Sequence, residues 1–295
     1  MNTLVTGCTG FLGRPLLELL RRPSLTSLEP GPGVIVCDLA DPASAERLIR
    51  RTRPRLVFHL AGSAASSRLS ADAFWRCHVT STANLLDALS THAPGARVVV
   101  AGSSAEYGVV RDSPVGEDCP TDPVNDYGSS KLAQTLLALS YRHQGLDVRV
   151  ARIFNAMGPG MPESLALGSF ARQIADIEEG RQPPKILVGN LSSSRDYVDA
   201  RDVARALLLL SRRGRSGGIY NVCSGRVQRM DALLRQLLSL ASKSISVVRD
   251  PGRIRRGEVS RIFGSPAKLR RDTGWTPQIP LPQSLRDTLR WHLRP

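Results

Sequence analysis

The chain has 295 residues, an apolar share of 41% and a net charge of +14. That length holds one large α/β domain with a smaller lobe, and no apolar run approaches the ~18 residues of a membrane-spanning helix. Four of the 40 basic residues are lysine, leaving 36 arginines; scattered in ones and twos, they lack the basic block and interleaved aromatics of a nucleic-acid binder. Strand-like runs appear at Leu4-Val5-Thr6, Val34-Ile35-Val36, Leu56-Val57-Phe58, Val98-Val99-Val100 and Val148-Arg149-Val150. Between them, Phe11 to Leu20, Ala73 to Leu89 and Tyr127 to His143 carry helical spacing. This alternation predicts an α/β fold with a doubly wound parallel sheet and helices on both faces.

The stretch from Ser24 to Gly33 interrupts the rhythm. The second strand of a dinucleotide-binding sheet belongs here, but the segment is short and rich in Pro and Gly. The expectation is a second strand lost or reduced to a turn. After Asn155 the pattern loosens. Met157 to Pro162 reads as a loop. Helices are expected near 166–179, 199–212, 230–241 and 283–293, with short strands near 186–188, 219–222 and 245–248. Residues 1–155, with returning segments near 199–224, are expected to form the dinucleotide-binding domain. Residues 156–198 and 225–295 then form a smaller C-terminal substrate lobe.

The five cysteines, at 8, 37, 77, 119 and 223, are odd in number and show no metal-ligand spacing, so reduced thiols and no metal site are expected. The N-terminus carries no basic-then-apolar leader pattern. Both features point to the cytoplasm. An arginine-rich surface together with a site for an anionic small molecule accounts for the charge, because guanidinium binds diphosphate in a bidentate manner.

Three motifs carry chemistry. Thr6-Gly7-Cys8-Thr9-Gly10-Phe11-Leu12-Gly13 follows a strand and opens a helix. Gly7 permits the tight turn, Gly10 lets the backbone approach a pyrophosphate, and Gly13 permits close helix–strand packing. The acid that grips the adenosine ribose about 20 residues later is not evident. Glu29 sits in a turn, Asp38 comes late at the end of the next strand, and Arg21 and Arg22 are candidates for a 2′-phosphate. NADPH and NADH both stay open, with NADPH favoured.

The second motif is Tyr127-Gly128-Ser129-Ser130-Lys131, whose spacing puts Tyr127 and Lys131 on one helix face. A phenol near pKa ~10 is a poor acid–base group at neutral pH. A neighbouring ammonium is expected to draw it toward the working range. The third motif is a buried strand ending in Ser103 and Ser104, where a hydroxyl can polarise a substrate carbonyl.

Together these motifs resemble the extended short-chain dehydrogenases/reductases that act on nucleotide sugars. Arg152-Ile153-Phe154-Asn155, Gly158-Pro159-Gly160, Val188-Gly189-Asn190-Leu191 with Arg195-Asp196, Tyr220 to Gly225, Arg255 with Glu258, and Thr273 to Pro277 resemble the GDP-4-keto-6-deoxy-D-mannose reductases within that group. The resemblance implies a catalytic set of Ser103, Tyr127 and Lys131. It also implies a nicotinamide cofactor held by Gly7, Thr9, Gly10, Phe11, Leu12, Gly13, Asp38, Leu39, Leu60, Ala61, Tyr127 and Lys131. The nucleotide sugar would meet Ser104, Asn155, Val188, Gly189, Asn190, Arg195, Arg255 and Glu258. A homodimer through a four-helix bundle, built from helices 73–90 and 127–144, is also implied, with neither nucleic acid nor membrane as a partner.

Two departures stand out. Related dehydratases carry acids where this chain has Ser104 and Ala105, and Glu106 lies one step off, which argues for ketone reduction over loss of water. His78 stands where the family usually has Asn. The expected activity is NAD(P)H-dependent reduction of the C4 ketone of a GDP-4-keto-6-deoxyhexose to GDP-D-rhamnose. A 4-ketoreductase or epimerase on a dTDP or UDP sugar is the alternative, and a non-catalytic cofactor sensor a third.

Overall fold

The structure is a computed structural model and describes residues 2–20, 23–27, 29–64, 69–110, 114–253 and 259–293. Its strands in chain order are β1 Thr3–Thr6, β2 Ser24–Ser27, β3 Val34–Val36, β4 Leu56–His59, β5 Arg97–Ser103, β6 Asp147–Ile153, β7 Asn155–Met157, β8 Lys185–Val188, β9 Ser194–Asp199, β10 Ile219–Val222, β11 Val227–Arg229, β12 Ser246–Arg249 and β13 Arg261–Ile262. The α-helices are α1 Gly13–Leu19, α2 Pro42–Thr52, α3 Ala71–Trp75, α4 Ser81–His92, α5 Asp126–Ser140, α6 Ala166–Glu178, α7 Ala200–Arg213, α8 Met230–Leu238, α9 Ala267–Thr273 and α10 Leu281–His292.

Seven strands form one parallel sheet in the order β10-β6-β5-β4-β1-β2-β3. Its helices cover both faces, and the alternation of β5 shows why. Val98 and Val100 enter the core under α2, α4 and α5, beside Leu48, Leu85 and Leu89. Val99 and Ala101 point the other way, into the core beneath α1 and α7 with Leu16, Val203 and Leu207. A strand buried on both faces must be apolar at every position, and the triple-valine run meets that demand.

The second strand is present, which corrects the expectation of its loss. Leu4, Val5 and Thr6 of β1 pair with Ser24, Leu25 and Thr26, and β2 in turn pairs with Val34–Val36. The buried Thr26 hydroxyl donates to Ile35 O at 2.8 Å, adding a side-chain bond to the ladder. What is short is the connection. Residues 28–33 link two adjacent parallel strands, a link that usually takes a helix of its own. The Pro- and Gly-rich composition belongs to this link, and the strand precedes it.

Helix α2, unmarked in the sequence reading, begins where Asp41 accepts from Ala43 N and Ser44 N with Pro42 in the first turn. Such a cap satisfies donors that the helix leaves unpaired. The second unit of structure packs α6, α8 and α10 around Phe170, Ile174, Leu233, Leu237 and Leu285. Beside it, β7, β9, β11 and β13 form a small mixed sheet, and β8 pairs with β12. Leu269 of α9 and Trp275 return to the core beneath α7. Phe11 of the glycine turn packs against the α6–α8–α10 core, so the turn sits where the two units meet.

Candidate active site

The strand ends that carry the site residues lie at one edge of the main sheet. Thr6 ends β1, His59 ends β4 and Ser103 ends β5. At the end of β1, Gly7 adopts φ +67°, and a Cβ there would lie 2.8 Å from Ala61 N. A Cβ on Gly13 would lie 2.6 Å from Gly7 O. These two glycines are required by the chain's own packing. Gly10 is exposed and, among the described residues, closely approached only by Gly7 O, which leaves its backbone open to a ligand. This division of labour fits a pyrophosphate lying over Gly10.

Around the adenosine end, β2 finishes on Ser27, whose hydroxyl pairs with Thr9 Oγ1 at 2.8 Å. Asp38 accepts from Ala40 N and forms an ion pair with Arg76 at 2.9 Å, both partners substantially exposed. Leu39 is buried, and its carbonyl accepts from Asn84 Nδ2. Leu60 joins the apolar core beneath the turn, as does Leu12, and Ala61 N donates to Thr6 Oγ1. Arg21 and Arg22 lie outside the described residues.

Ser103 and Tyr127 meet. The Ser103 hydroxyl hydrogen-bonds the Tyr127 side chain and also accepts from Ala105 N at 3.1 Å. Gly128 brings them together. A Cβ on Gly128 would lie 2.7 Å from Ala105 O, so the first turn of α5 rests directly on the 3₁₀ turn Ser104–Tyr107. Asn125 caps α5 by accepting from Gly128 N. The Tyr127 ring stands edge-on to Phe74 and His78, with centroids 5.7 and 5.5 Å away. Burial holds its pKa above the ordinary value, opposed by the Ser103 hydrogen bond. This reverses the direction expected from the Lys131 spacing. The Lys131 ammonium turns to Ala101 O and Gln134 Oε1 instead. The phenol is therefore protonated at neutral pH, the form a proton donor needs.

Lys131 is buried, and desolvation pulls its pKa down to about 8 against the opposite pull of the Glu106 carboxylate. Its two hydrogen bonds leave one N–H of the ammonium for a ligand. With the open Gly10 backbone, that N–H fits a nicotinamide dinucleotide spanning from the glycine turn to the lysine.

Glu106 is fully buried. One oxygen accepts from Ser103 N at 2.8 Å and the other pairs with Arg152 Nε at 2.7 Å. The Arg152 guanidinium also lies over the Tyr107 ring, 4.7 Å from its centroid. Ser104 is buried beside Ser103. His78 sits in a π-helical turn, Arg76–Thr80, between α3 and α4. Such turns often mark functional sites. Nothing in the local sequence pattern signals it. His78 Nδ1 meets Ser130 Oγ at 2.9 Å, and burial followed by the charge of Lys131 lowers its pKa to about 3.

The remaining sequence-derived candidates lie on the second unit. Asn155 donates to Asp196 O at 3.0 Å, across the β7–β9 pairing. Arg195 of β9 donates to Ser194 O and Ser260 O. The small sheet thus groups Asn155 with Arg195. Val188 is buried at the end of β8, a Cβ on Gly189 would lie 2.6 Å from Arg253 O, and Asn190 accepts from Ser192 N and Oγ. Arg255 and Glu258 lie outside the described residues. Asp196, part of the Arg195-Asp196 motif but given no role from sequence, is a hub. Buried, with desolvation raising its pKa, it accepts from Ser224 N and Oγ, Gly225 N and Gly264 N.

A parallel dinucleotide-type sheet, an open glycine turn and a Ser–Tyr–Lys group at the strand ends define the nicotinamide-dependent short-chain oxidoreductases. Residues 3–223 match the NAD dependent epimerase/dehydratase family, and the chain belongs to that family. It is 37% identical over 291 residues to GDP-6-deoxy-D-mannose reductase of Pseudomonas aeruginosa, covering 97% of this chain and 95% of that one. It is 29% identical to dTDP-6-deoxy-L-talose 4-dehydrogenase (NAD(P)(+)) of Kitasatospora kifunensis, over 96% and 93% of the two chains. Among solved structures, RMD from Pseudomonas aeruginosa complexed with NADPH superposes with a TM-score of 0.88 at 34% identity, covering 99% of each chain.

Proposed function

We propose that the protein reduces the C4 ketone of a GDP-4-keto-6-deoxyhexose, giving GDP-D-rhamnose. The observation that carries this reading is the state of the carboxylates beside Tyr127. Positions 104 and 105 hold none, and both oxygens of Glu106 are committed to Ser103 N and Arg152. Loss of water across the ring needs further acid–base groups, whereas ketone reduction needs one proton donor. The 37% identity to a GDP-6-deoxy-D-mannose reductase supports the GDP sugar.

Reduced nicotinamide, when bound, supplies the hydride. Ser103 holds the ketone oxygen by a hydrogen bond. Tyr127 gives its proton to that oxygen, so the carbonyl becomes a secondary alcohol and the phenol a phenolate. The Lys131 ammonium stabilises the phenolate and offers its remaining N–H to the ribose. Gly7, Thr9, Gly10, Phe11, Leu12 and Gly13 would hold the pyrophosphate, and Leu60, Ala61, Asp38 and Leu39 would meet the rest of the dinucleotide. NADPH is favoured by the likeness to RMD complexed with NADPH. The last residue of β2, Ser27, carries a hydroxyl that pairs with Thr9 and also accepts from the backbone N–H of Glu29.

Ser104, Asn155, Val188, Gly189, Asn190 and Arg195 are assigned to the nucleotide sugar, and Arg255 and Glu258, outside the described residues, remain candidates for it. A homodimer forms through a four-helix bundle. Exposed Trp75 and Leu136, on the packed helices α3 and α5, support that face. Five unpaired cysteines suit the reducing cytoplasm. The likeness to a dTDP-6-deoxy-L-talose 4-dehydrogenase supports a second reading, with dTDP in place of GDP.

Competition binding decides between the bases. Displacement of a bound GDP sugar by GDP at lower concentration than dTDP or UDP is the expected result. Preferential displacement by dTDP overturns the GDP assignment.

A further inference from the structure

A line of buried side chains runs from Lys131 back to the glycine turn. Gln134, one turn along α5, accepts from Lys131 Nζ through Oε1 at 2.5 Å. Its Nε2 donates to Thr82 Oγ1 of α4 at 2.8 Å. Thr82 Oγ1 also meets His59 Nε2 at 2.9 Å, and His59 Nδ1 meets Thr6 Oγ1 at 2.8 Å. Gln134 and His59 are 1% exposed, and Thr82 and Thr6 are 0%.

The donors can be assigned by counting. The Thr82 hydroxyl gives its proton to His78 O in the π-helical turn. Its oxygen therefore accepts from both Gln134 and His59, which puts the His59 proton on Nε2. His59 Nδ1 is then an acceptor and Thr6 its donor. Two donors converge on Thr82, so no proton can pass along this line. It is a brace. It joins Lys131 to the residue that immediately precedes Gly7, and so ties together the two ends of the chain that the proposed dinucleotide spans.

We propose that Gln134 is a positioning residue for Lys131, holding the ammonium in place and in its charged form, and that Thr82 and neutral His59 hold Gln134. The placement is independent of the reductase reading, whereas its consequence for turnover rests on that reading. The titratable groups facing Lys131 are Glu106 from the turn after β5, Cys77 and His78 from the π-helical turn and His59 from β4. Glu106 is already paired to Arg152. Gln134 is thus the neutral side-chain acceptor that meets the ammonium directly. Burial and the Lys131 charge lower His59 to about 3, which keeps it neutral as the donor count requires.

The chain has only four lysines, so the titration of Lys131 is resolvable in a ¹³Cε-lysine NMR spectrum of the protein without cofactor, assigned with Lys131→Met. In Gln134→Glu the Lys131 midpoint should rise by about one pH unit or more, as for a carboxylate placed against a buried cation. In Gln134→Met it should fall. Thr82→Val should also lower it, and Thr82→Ser should restore it. In turnover, the alkaline limb of kcat should follow the same order with KM little changed. An unmoved midpoint in the variants that fold overturns the proposal. Shifted midpoints in a protein that reduces no keto sugar would overturn the reductase reading and leave the role of Gln134 standing.

Discussion

At the scale of the residue, the chemistry depends on a phenol kept protonated until it is used. Burial raises Tyr127 while Ser103 holds its oxygen, and the Lys131 ammonium hydrogen-bonds Ala101 O and Gln134 in the resting site. Tyr127→Phe removes the proton donor and leaves the ring edge-on to Phe74 and His78. Its kcat should fall by about 10²- to 10⁴-fold, with NADPH binding by fluorescence retained. A variant reducing the keto sugar at the normal rate would remove Tyr127 from the mechanism. The four-residue spacing already placed Tyr127 and Lys131 one turn apart on α5. The direction of the Tyr127 shift was not legible, because spacing along a helix says which face a side chain takes and not which carbonyl its charge will find.

At the scale of the element, the site depends on how closely α5 lies on the turn after β5. Gly128 sets that distance, since a Cβ would press into Ala105 O. Gly128→Ala should displace the first turn of α5 by a few tenths of an ångström. The expected kcat loss is tens of fold, because misplacement by about 1 Å can cost ~10², with circular dichroism unchanged. Full activity in the alanine variant would show that the contact is slack. The strands and helices of the main sheet were legible because their periodicity is strong, as in Val98 to Val100. Strand β2 was not. Four residues, Ser24 to Ser27, carry little pattern of their own and are held by neighbours on both sides. The π-helical turn at His78 was equally silent. It arises from packing between α3, α4 and α5, and the sequence showed only an unusual histidine.

At the scale of the whole molecule, burial of neutral histidines links stability to pH. His59 and His78 both fall to about 3 from an ordinary 6.5. Between those values the unfolded chain binds more protons than the folded one, so stability drops as pH falls. Each histidine contributes a loss on the order of 1 kcal/mol per pH unit once the pH is well below 6.5. Thermal unfolding should therefore move to lower temperature from pH 7 to pH 5, and His78→Asn should flatten the slope. A melting temperature independent of pH over that range would mean the rings are hydrated. The change of rhythm after Asn155 coincides with the start of the small sheet at β7. The return of Leu269 and Trp275 to the core beneath α7 was not legible, because long-range packing leaves no local periodicity.

The central claim joins this architecture to one reaction, and a single measurement tests it most directly. Incubate the protein with GDP-4-keto-6-deoxymannose and NADPH, follow cofactor oxidation, and determine the C4 configuration of the product by NMR. The account predicts one NADPH consumed per sugar reduced and GDP-D-rhamnose as the product. An unchanged keto sugar, loss of water from the ring, or the opposite configuration at C4 would contradict it.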